Sequence, residues 1–288
     1  EQRVNLTRFS LFFPEKREFF LEGQGIFAFG GRRTSRFGGE SNNTPIMFFS
    51  RRIGLSGATA VPIQAGGRLT GRAGAYTLGA LAIRTDEVAV AGVPTTNFSV
   101  LRVKRDILRR SNIGVIATHR SASAIDDGTN SLFGLDANLS FYDNLNVNAY
   151  YSRSRTSALK GDDVRYLGRL DYGGDRYGLQ LERLVVAENF NPEIGFLRRT
   201  DFQRSFAKFR FSPRPQSLTA VRKFSYEAGA DYFTNGEGTL ETREVELAFR
   251  TEFSNGDNFN TSYTRSFDFL DEPFEIADGV VVPVGEYR

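Results

Sequence analysis

Strict alternation of apolar and polar residues is the dominant pattern of the chain. In residues 133–141 the odd positions carry Phe, Leu, Ala, Leu and Phe, while the even positions carry Gly, Asp, Asn and Ser. Because successive side chains of a strand point to opposite faces, this pattern predicts a strand with one apolar and one polar face. The alternation recurs in residues 63–72, 145–152, 163–172, 224–232, 244–253 and 258–268. Less regular strands, which bring the total to about a dozen, are predicted at 46–55, 75–85, 97–105, 112–120, 175–185 and 203–212.

The connections between these strands alternate in length. Short turns are predicted near 72–74, 106–111, 142–144, 173–174 and 255–256. Longer loops are predicted at 86–96, 121–131, 156–162 and 187–202, and residues 213–222 are the main irregularity. In an up-and-down barrel alternate connections lie on opposite rims, and outer-membrane barrels combine short periplasmic turns with long outer loops. The prediction is therefore an all-β protein, an antiparallel up-and-down transmembrane β-barrel.

A soluble β-sandwich also alternates and is the main alternative. Its polar face would meet bulk water, whereas here that face mixes Arg with Asp, Glu, Asn and Gly, which suits a confined lumen. Tyr and Phe near the strand ends are typical of the aromatic girdles of membrane barrels. A sandwich would also have about seven to nine strands in two layers. The pattern favours the barrel.

The first 45 residues do not alternate, so the chain divides into an irregular segment, 1–45, and a barrel domain, 46–288. Pro14 before residues 15–21 predicts one or two helical turns. The segment is either a linker into the first strand or a plug in the barrel mouth, where irregular backbone is tolerated. Residues 188–202 repeat its mixture of Phe, Pro, Glu and Arg, and we expect a loop folded over the pore rather than a ligand contact. Both termini look cut, so we expect a fragment of a longer protein.

Composition restricts the chemistry. No run approaches the roughly 18 apolar residues of a membrane-spanning helix. The chain has no cysteine, and His119 is its only histidine, so we predict no metal site, no cofactor and no catalytic residue. His119 would lie at the rim of the apolar face. Basic residues are interspersed with acidic ones rather than clustered, which argues against a nucleic-acid partner. We predict that the protein is not an enzyme.

The polar wall supplies candidate lumen-facing residues, which would set a charge preference inside a wet lumen. They are Arg68, Arg72, Arg102, Lys104, Arg165, Arg169, Asp163, Asp171, Glu244 and Glu246. The alternative, which we favour, is a structural ladder of ion pairs that braces the barrel.

Two further arginines, Arg153 and Arg155, fall on an otherwise apolar face near a long loop. Arg on a lipid face costs about 2–4 kcal/mol at the bilayer midplane but little at the interface. We expect both at the outer rim, where they pair with lipid phosphates or fold back onto a loop carboxylate.

Five segments resemble the signatures of a known family: residues 5–23, 48–55, 97–110, 188–202 and 211–224. The family comprises bacterial outer-membrane proteins in which a carbohydrate-binding, family-9-like domain precedes a C-terminal barrel of unknown function. The resemblance implies a location in the outer membrane of a Gram-negative bacterium, a missing N-terminal sugar-binding-like domain, and further strands after residue 288. It supplies no catalytic residues.

The resulting expectation is an outer-membrane barrel that anchors the protein or passes material passively, linked to glycan uptake. Its partners would be outer-membrane lipid and, through the missing domain, glycans. One alternative is a non-conducting scaffold that displays that domain. Another is a soluble β-rich glycan-binding or hydrolytic domain.

Overall fold

The computed structural model describes residues 11–31, 45–57, 59–126, 128–277 and 279–288. Its helical turns are short: α1 (Glu18–Leu21) and 3₁₀ turns at Gln24–Phe27, Ser50–Arg52 and Ala89–Ala91. The strands are β1 (Leu55–Ser56), β2 (Thr59–Ala60), β3 (Ile63–Ala73), β4 (Tyr76–Thr85), β5 (Thr96–Leu108), β6 (Ser111–Arg120), β7 (Asn130–Phe141), β8 (Leu145–Thr156), β9 (Val164–Gly173), β10 (Tyr177–Val186), β11 (Phe202–Phe211), β12 (Val221–Asn235), β13 (Leu240–Phe253), β14 (Asn258–Leu270), β15 (Phe274–Ala277), β16 (Val280–Val282) and β17 (Gly285–Tyr287).

One antiparallel sheet of 13 strands dominates the fold. Strands β3 to β14 follow one another in space as they do in sequence, and β17 pairs with the end of β14 at Asp268–Leu270. Two hairpins, β1–β2 and β15–β16, stand apart from it. The predicted up-and-down antiparallel order is confirmed. The predicted closure is not seen, because in the described residues β3 and β14 do not pair with each other and the sheet stays open.

Every predicted strand is present except the one at 46–55. Ile46 makes only an isolated bridge to Phe196, and residues 50–52 form a 3₁₀ turn. The backbone bonds of this stretch go to a loop, with Ile46 N to Phe196 O and Phe49 N to Ile194 O both at 2.8 Å. Gly54, with a φ of 82°, then turns the chain away. The alternation at 46–55 therefore reflects packing against the loop rather than pairing in the sheet.

The connections alternate in length as predicted. Short turns join β3 to β4, β5 to β6, β7 to β8 and β9 to β10, whereas β4 to β5, β6 to β7, β8 to β9 and β10 to β11 are joined by longer loops. Residues 212–220 are the irregular connection on the short-turn side. The long loops up to β11 consequently share one edge of the sheet.

The two faces of the sheet are unlike each other. We define the inner face as the one that contacts residues 11–31 and 45–57, and the outer face as the opposite one. The outer face exposes large apolar side chains, including Leu69, Phe133, Leu135, Leu247 and Tyr263. The inner face buries charged residues, including Arg102, Asp136, Arg165, Arg169 and Glu182. Soluble domains place these residue types the other way round.

Two apolar clusters attach residues 11–31 and 45–57, which we call the N-terminal segment, to the inner face. One joins Phe20, Phe27 and Ile53 to side chains of β4 and β5, and to Ile194 of the 187–201 loop. The other places Met47 beside Phe190 of that loop and side chains of β6 to β12. Segment and loop together pack on inner-face side chains of β4 to β12. The helical turn predicted after Pro14 is present as α1, which begins at Glu18.

Candidate functional site

A buried ion pair joins β5 to β7 on the inner face. Arg102 of β5 donates to Asp136 of β7 through its two terminal guanidinium nitrogens, Nη1 to Oδ1 at 2.6 Å and Nη2 to Oδ2 at 2.8 Å. Each side chain is 1% exposed. The strand between them presents Gly114, where an added Cβ would lie 2.6 Å from Arg102 Nη1 and 2.8 Å from Asp136 Oδ1. A glycine on β6 therefore makes room for a pair that spans three strands.

This pair also holds the N-terminal segment. Gly30 N donates to Asp136 Oδ2 and Arg102 Nε donates to Ala28 O, both at 3.2 Å. The ring of Phe29 lies 5.3 Å from the Arg102 guanidinium carbon and 5.5 Å from the ring of Tyr150. Gly30 has a φ of 79°, and a Cβ there would approach Tyr150 to 2.7 Å. The segment is thus fixed by charge, by ring contacts and by close approach.

A second network crosses four strands, from β9 to β12. Glu182, whose side chain is 0% exposed, accepts from Arg169 Nε at 2.6 Å and from Arg204 Nη1 at 2.7 Å. Arg204 also donates to both carboxylate oxygens of Asp231, at 2.7 and 2.6 Å. The sequence of charges across the strands is plus, minus, plus, minus. Two arginines are thereby neutralised by two carboxylates, as burial requires.

Toward the short turns, the same face remains open over β11 to β14 in the described part of the chain. Lys208 Nζ lies 2.9 Å from Glu227 and 3.9 Å from Glu246. These residues line a groove of about 660 Å³, together with Arg210, Arg250 and other side chains that include both basic and acidic groups. Charged groups in this part of the face can meet a solute.

Two carboxylates fasten the covering segments, one to a long loop and one within the N-terminal segment. Glu193 of the 187–201 loop accepts from Ser123 Oγ at 2.7 Å, Ala124 N at 2.8 Å and Arg120 Nη1 at 3.1 Å. Glu15 accepts from Ser50 Oγ at 2.8 Å and from Arg17 Nη2 at 2.6 Å. Burial raises the pKa of Glu15, but these hydrogen bonds outweigh burial and lower it to about 2.

Most of the predicted lumen-facing residues lie on the inner face with identifiable partners. Arg68 bonds Phe19 O and Glu22 of the N-terminal segment, and Arg72 pairs with Asp106. Arg165 bonds Tyr150 and donates to Pro45 O at 3.1 Å. Arg102 and Arg169 belong to the two networks above.

The remaining candidates are more dispersed. Lys104 and Asp171 line a cavity of about 500 Å³ beside Gly31 and a row of asparagines. Glu246 borders the open groove, and Glu244 lies opposite Asp231 in the pairing of β12 with β13. Asp163 instead precedes β9 and accepts from Arg153 Nε at 2.8 Å.

The acidic partners of these arginines are absent from the predicted set: Asp136, Glu182, Asp231 and Glu193. The signal for Asp136 was present, since it lies on the polar face of the most regular strand. Pairing it with Arg102 required the register across β6, which a single strand pattern does not supply.

The two rim candidates lie on the outer face near the end of β8. Arg155 is the penultimate residue of that strand and is exposed. Arg153, two residues earlier, makes the contact with Asp163 already described, a fold-back onto a carboxylate near the loop.

Within the described ranges, no helix has the length and apolar character that crossing a membrane would require. Nor does the described part of the chain bring three His, Asp or Glu residues together as metal ligands. Fold and site define the class: an all-β protein with one large up-and-down antiparallel sheet that buries ion pairs on one face. Comparison with family models, curated proteins and solved structures finds no match.

Proposed function

We propose that the chain forms the lipid-facing wall of an outer-membrane β-barrel and anchors the protein there. The observation that carries this proposal is the distribution of side chains between the faces. Leu69, Leu101, Leu135 and Leu247 are 73, 49, 47 and 50% exposed. Full burial of such a side chain is worth about 1.5–3 kcal/mol, so a water-facing role would forgo that stabilisation at every one of these positions.

The dimensions fit a bilayer. Strands β3 to β14 have between 10 and 15 residues. At about 3.3 Å per residue, ten residues span about 33 Å, and a tilt of about 40° leaves about 25 Å. That is the height of the apolar band of an outer-membrane barrel.

Aromatic side chains mark the short-turn end of the outer face. Tyr177 and Phe211 stack with ring centroids 5.3 Å apart, Phe211 and Tyr226 lie 6.3 Å apart, and Tyr226 and Phe249 lie 5.0 Å apart. Phe259 continues the row at 6.4 Å from Phe249. A row of rings across β10 to β14 is typical of an interfacial girdle.

Charges on the outer face are placed where a bilayer tolerates them. From β3 to β11 the outer-face arginines lie within three residues of a strand end: Arg84, Arg105, Arg153, Arg155 and Arg183. Arg265 is the exception; it lies near the middle of β14, beside that strand's unpaired edge.

Reporter residues on adjacent positions test the assignment. The chain contains no tryptophan, so Leu247→Trp places a single reporter on the outer face and Ala248→Trp places one on the inner face at the same depth. In vesicles with tail-brominated lipids, we expect strong fluorescence quenching at position 247 and weak quenching at 248. Aqueous iodide should give the reverse order. Equal quenching by brominated lipid, or a monodisperse product without detergent, would reject the membrane assignment.

The covered inner face favours anchoring over an open pore. Residues 11–31, 45–57 and the 187–201 loop pack on inner-face side chains of β4 to β12 and would obstruct a wide channel there. Planar bilayer recordings of the full-length protein should then show no large, steady ion steps. Display of a glycan-binding domain by this anchor is an extension of the proposal that rests on the family resemblance.

Passive transport is the second candidate, and the open groove on β11 to β14 favours it. Lys208, Glu227, Glu246 and Arg250 line space that the described residues of the N-terminal segment do not fill. If small ion steps are observed, Glu246→Lys should shift the reversal potential toward anions. Steps without a shift would place conduction elsewhere.

A further inference from the structure

The charged residues of the outer face are all of one sign. Two residues that are directly paired on neighbouring strands lie on the same face of the sheet. By this rule, the charged residues on the outer face of the described strands β3 to β14 are arginines, with no carboxylate among them. Glu241, in the irregular start of β13, pairs with Arg199 of the 187–201 loop and so belongs to the inner side. The inner face, in contrast, mixes both signs throughout.

Five of these outer-face residues form a continuous polar row near the long loops, which we call the rim patch. Its members are Arg84, Ser99, His119, Ser131 and Arg155. Ser99 is paired directly with His119, His119 with Ser131, and Ser131 with Arg155. Arg84 lies two residues along β4 from Ala82, the partner of Ser99. The patch thus crosses five consecutive strands.

The patch has hydrogen-bonding capacity to spare. His119 Nδ1 lies 2.9 Å from Ser131 Oγ, which fixes the ring and leaves Nε2 available. In the described residues neither Arg84 nor Arg155 makes a side-chain hydrogen bond or ion pair, and both are exposed. Neighbouring strands lie about 4.8 Å apart, so Arg155 and His119 flank a gap of about 10 Å over Ser131. A tetrahedral oxyanion such as phosphate fits that gap.

The position of the patch joins it to the apolar surface. Arg84, His119 and Arg155 are each the penultimate residue of their strand, whereas Phe133 and Leu101, further from the loops, are exposed on the same face. A molecule with a phosphate at the rim could therefore lay its hydrocarbon chain on the strands below. Arginine is suited to phosphate because its planar donors match the oxygens.

We infer that the rim patch binds the phosphate of a lipid headgroup, with the acyl chains along the outer face. The inference rests on the proposed membrane function and deepens it. A second copy of this chain is a poorer occupant, because the charged residues on the outer face of the described strands are arginines, which would repel one another across such a contact. Arg153 is already paired with Asp163, so Arg84 and Arg155 carry most of the attraction.

Lipid titration tests the inference. The full-length protein, in an uncharged maltoside detergent, is titrated with dioleoyl phosphatidic acid and with dioleoylglycerol, and bound lipid is counted by native mass spectrometry. A basic residue near an anionic surface contributes about fivefold in affinity, so Arg84→Gln with Arg155→Gln should weaken phosphatidic acid binding about 25-fold. Arg183→Gln is the matched control, since Arg183 already bonds Gln203 and Ser205, and should have little effect.

The outcomes separate the explanations. A lipid phosphate site is supported if only the double variant loses phosphatidic acid binding. Binding of dioleoylglycerol should be the same in all variants, and inorganic phosphate should not compete. Competition by millimolar inorganic phosphate would overturn the inference. So would unchanged phosphatidic acid binding in the double variant, or a double variant that alters the oligomeric state instead of lipid binding. Arg155→Lys, which keeps the charge in an exposed position, should retain most of the binding and guards against a folding defect. Reporters at 247 and 248 that show insertion while lipid binding is absent would reject the rim patch alone.

Discussion

Neutralising Asp136 should release both the central ion pair and the segment that it holds. In Asp136→Asn the side chain keeps its shape but loses its charge, and Arg102 is left buried without a counterion. Breaking a buried pair by removing one partner costs about 3–5 kcal/mol, much of it the penalty of an uncompensated charge. Because both side chains are 1% exposed, solvent offers little relief, and we expect a loss near that range.

A matched surface pair provides the control. Arg72 and Asp106 also join neighbouring parts of the inner face, but their side chains are 66 and 43% exposed. Exposed pairs are worth about 0–1 kcal/mol, so Asp106→Asn should cost at most that. The difference between the two variants is therefore about 3 kcal/mol, which lies outside the error of a denaturant titration.

The assay is reversible guanidinium unfolding in detergent or lipid, followed by far-ultraviolet circular dichroism, together with limited proteolysis of residues 11–31. Asp136→Asn should lower the transition midpoint and open the segment to protease, because Gly30 N and Ala28 O both bond the pair. The double variant Arg102→Met with Asp136→Leu should recover most of the stability, since a buried pair replaced by apolar groups is often neutral. An Asp136→Asn cost no larger than that of Asp106→Asn would refute the reasoning.

Three further predictions follow from the covered face. Gly30→Ala should expose residues 11–31 to protease, because a φ of 79° disfavours a side chain and the added Cβ would lie 2.7 Å from Tyr150. Gly25→Ala is the control and should not, because no atom lies within 4 Å of the Cβ added there. Glu182→Gln should destabilise by about 3–5 kcal/mol in the same titration, since two arginines lose one counterion; equal stability would contradict the network. The pKa of Glu15 is lowered from 4.5 to about 2, so its contribution to the free energy of unfolding is complete above pH 4.5 and is lost as the pH falls through 2. Guanidinium titrations at several pH values should therefore show a weaker pH dependence of stability in Glu15→Gln.

Local pattern was sufficient for the strands because period two is a property of each segment by itself. Residues 133–141, for example, fix their own two faces without reference to neighbours. The error at 46–55 has the same origin: a short alternating stretch near Gly54 can satisfy its backbone from a distant loop, and no local rule foresees Phe196 as its partner.

The partners in the ion pairs could not be predicted from the sequence, for a different reason. Arg102 and Asp136 are 34 residues apart and meet only because the register of β5, β6 and β7 brings them level and Gly114 leaves a gap. A one-residue slip would move every side chain to the other face. Predicting charged residues on a polar wall was possible; predicting which charges meet required the fold.

The location of the buried charges bears on how the protein would treat a solute. Arg102 and Asp136 bond the N-terminal segment, and their side chains and that of Glu182 are at most 1% exposed, so a passing ion has little access to them. The cost of desolvating these charges offsets much of the attraction between them. Their main effect is therefore to fix one position for the N-terminal segment and one register for the strands. Any charge preference must then come from the uncovered residues, of which Lys208, Glu246 and Arg250 line the groove on β11 to β14. Substituting the covered arginines should accordingly change stability, whereas substituting the groove residues should change selectivity while leaving the free energy of unfolding within about 1 kcal/mol of its original value.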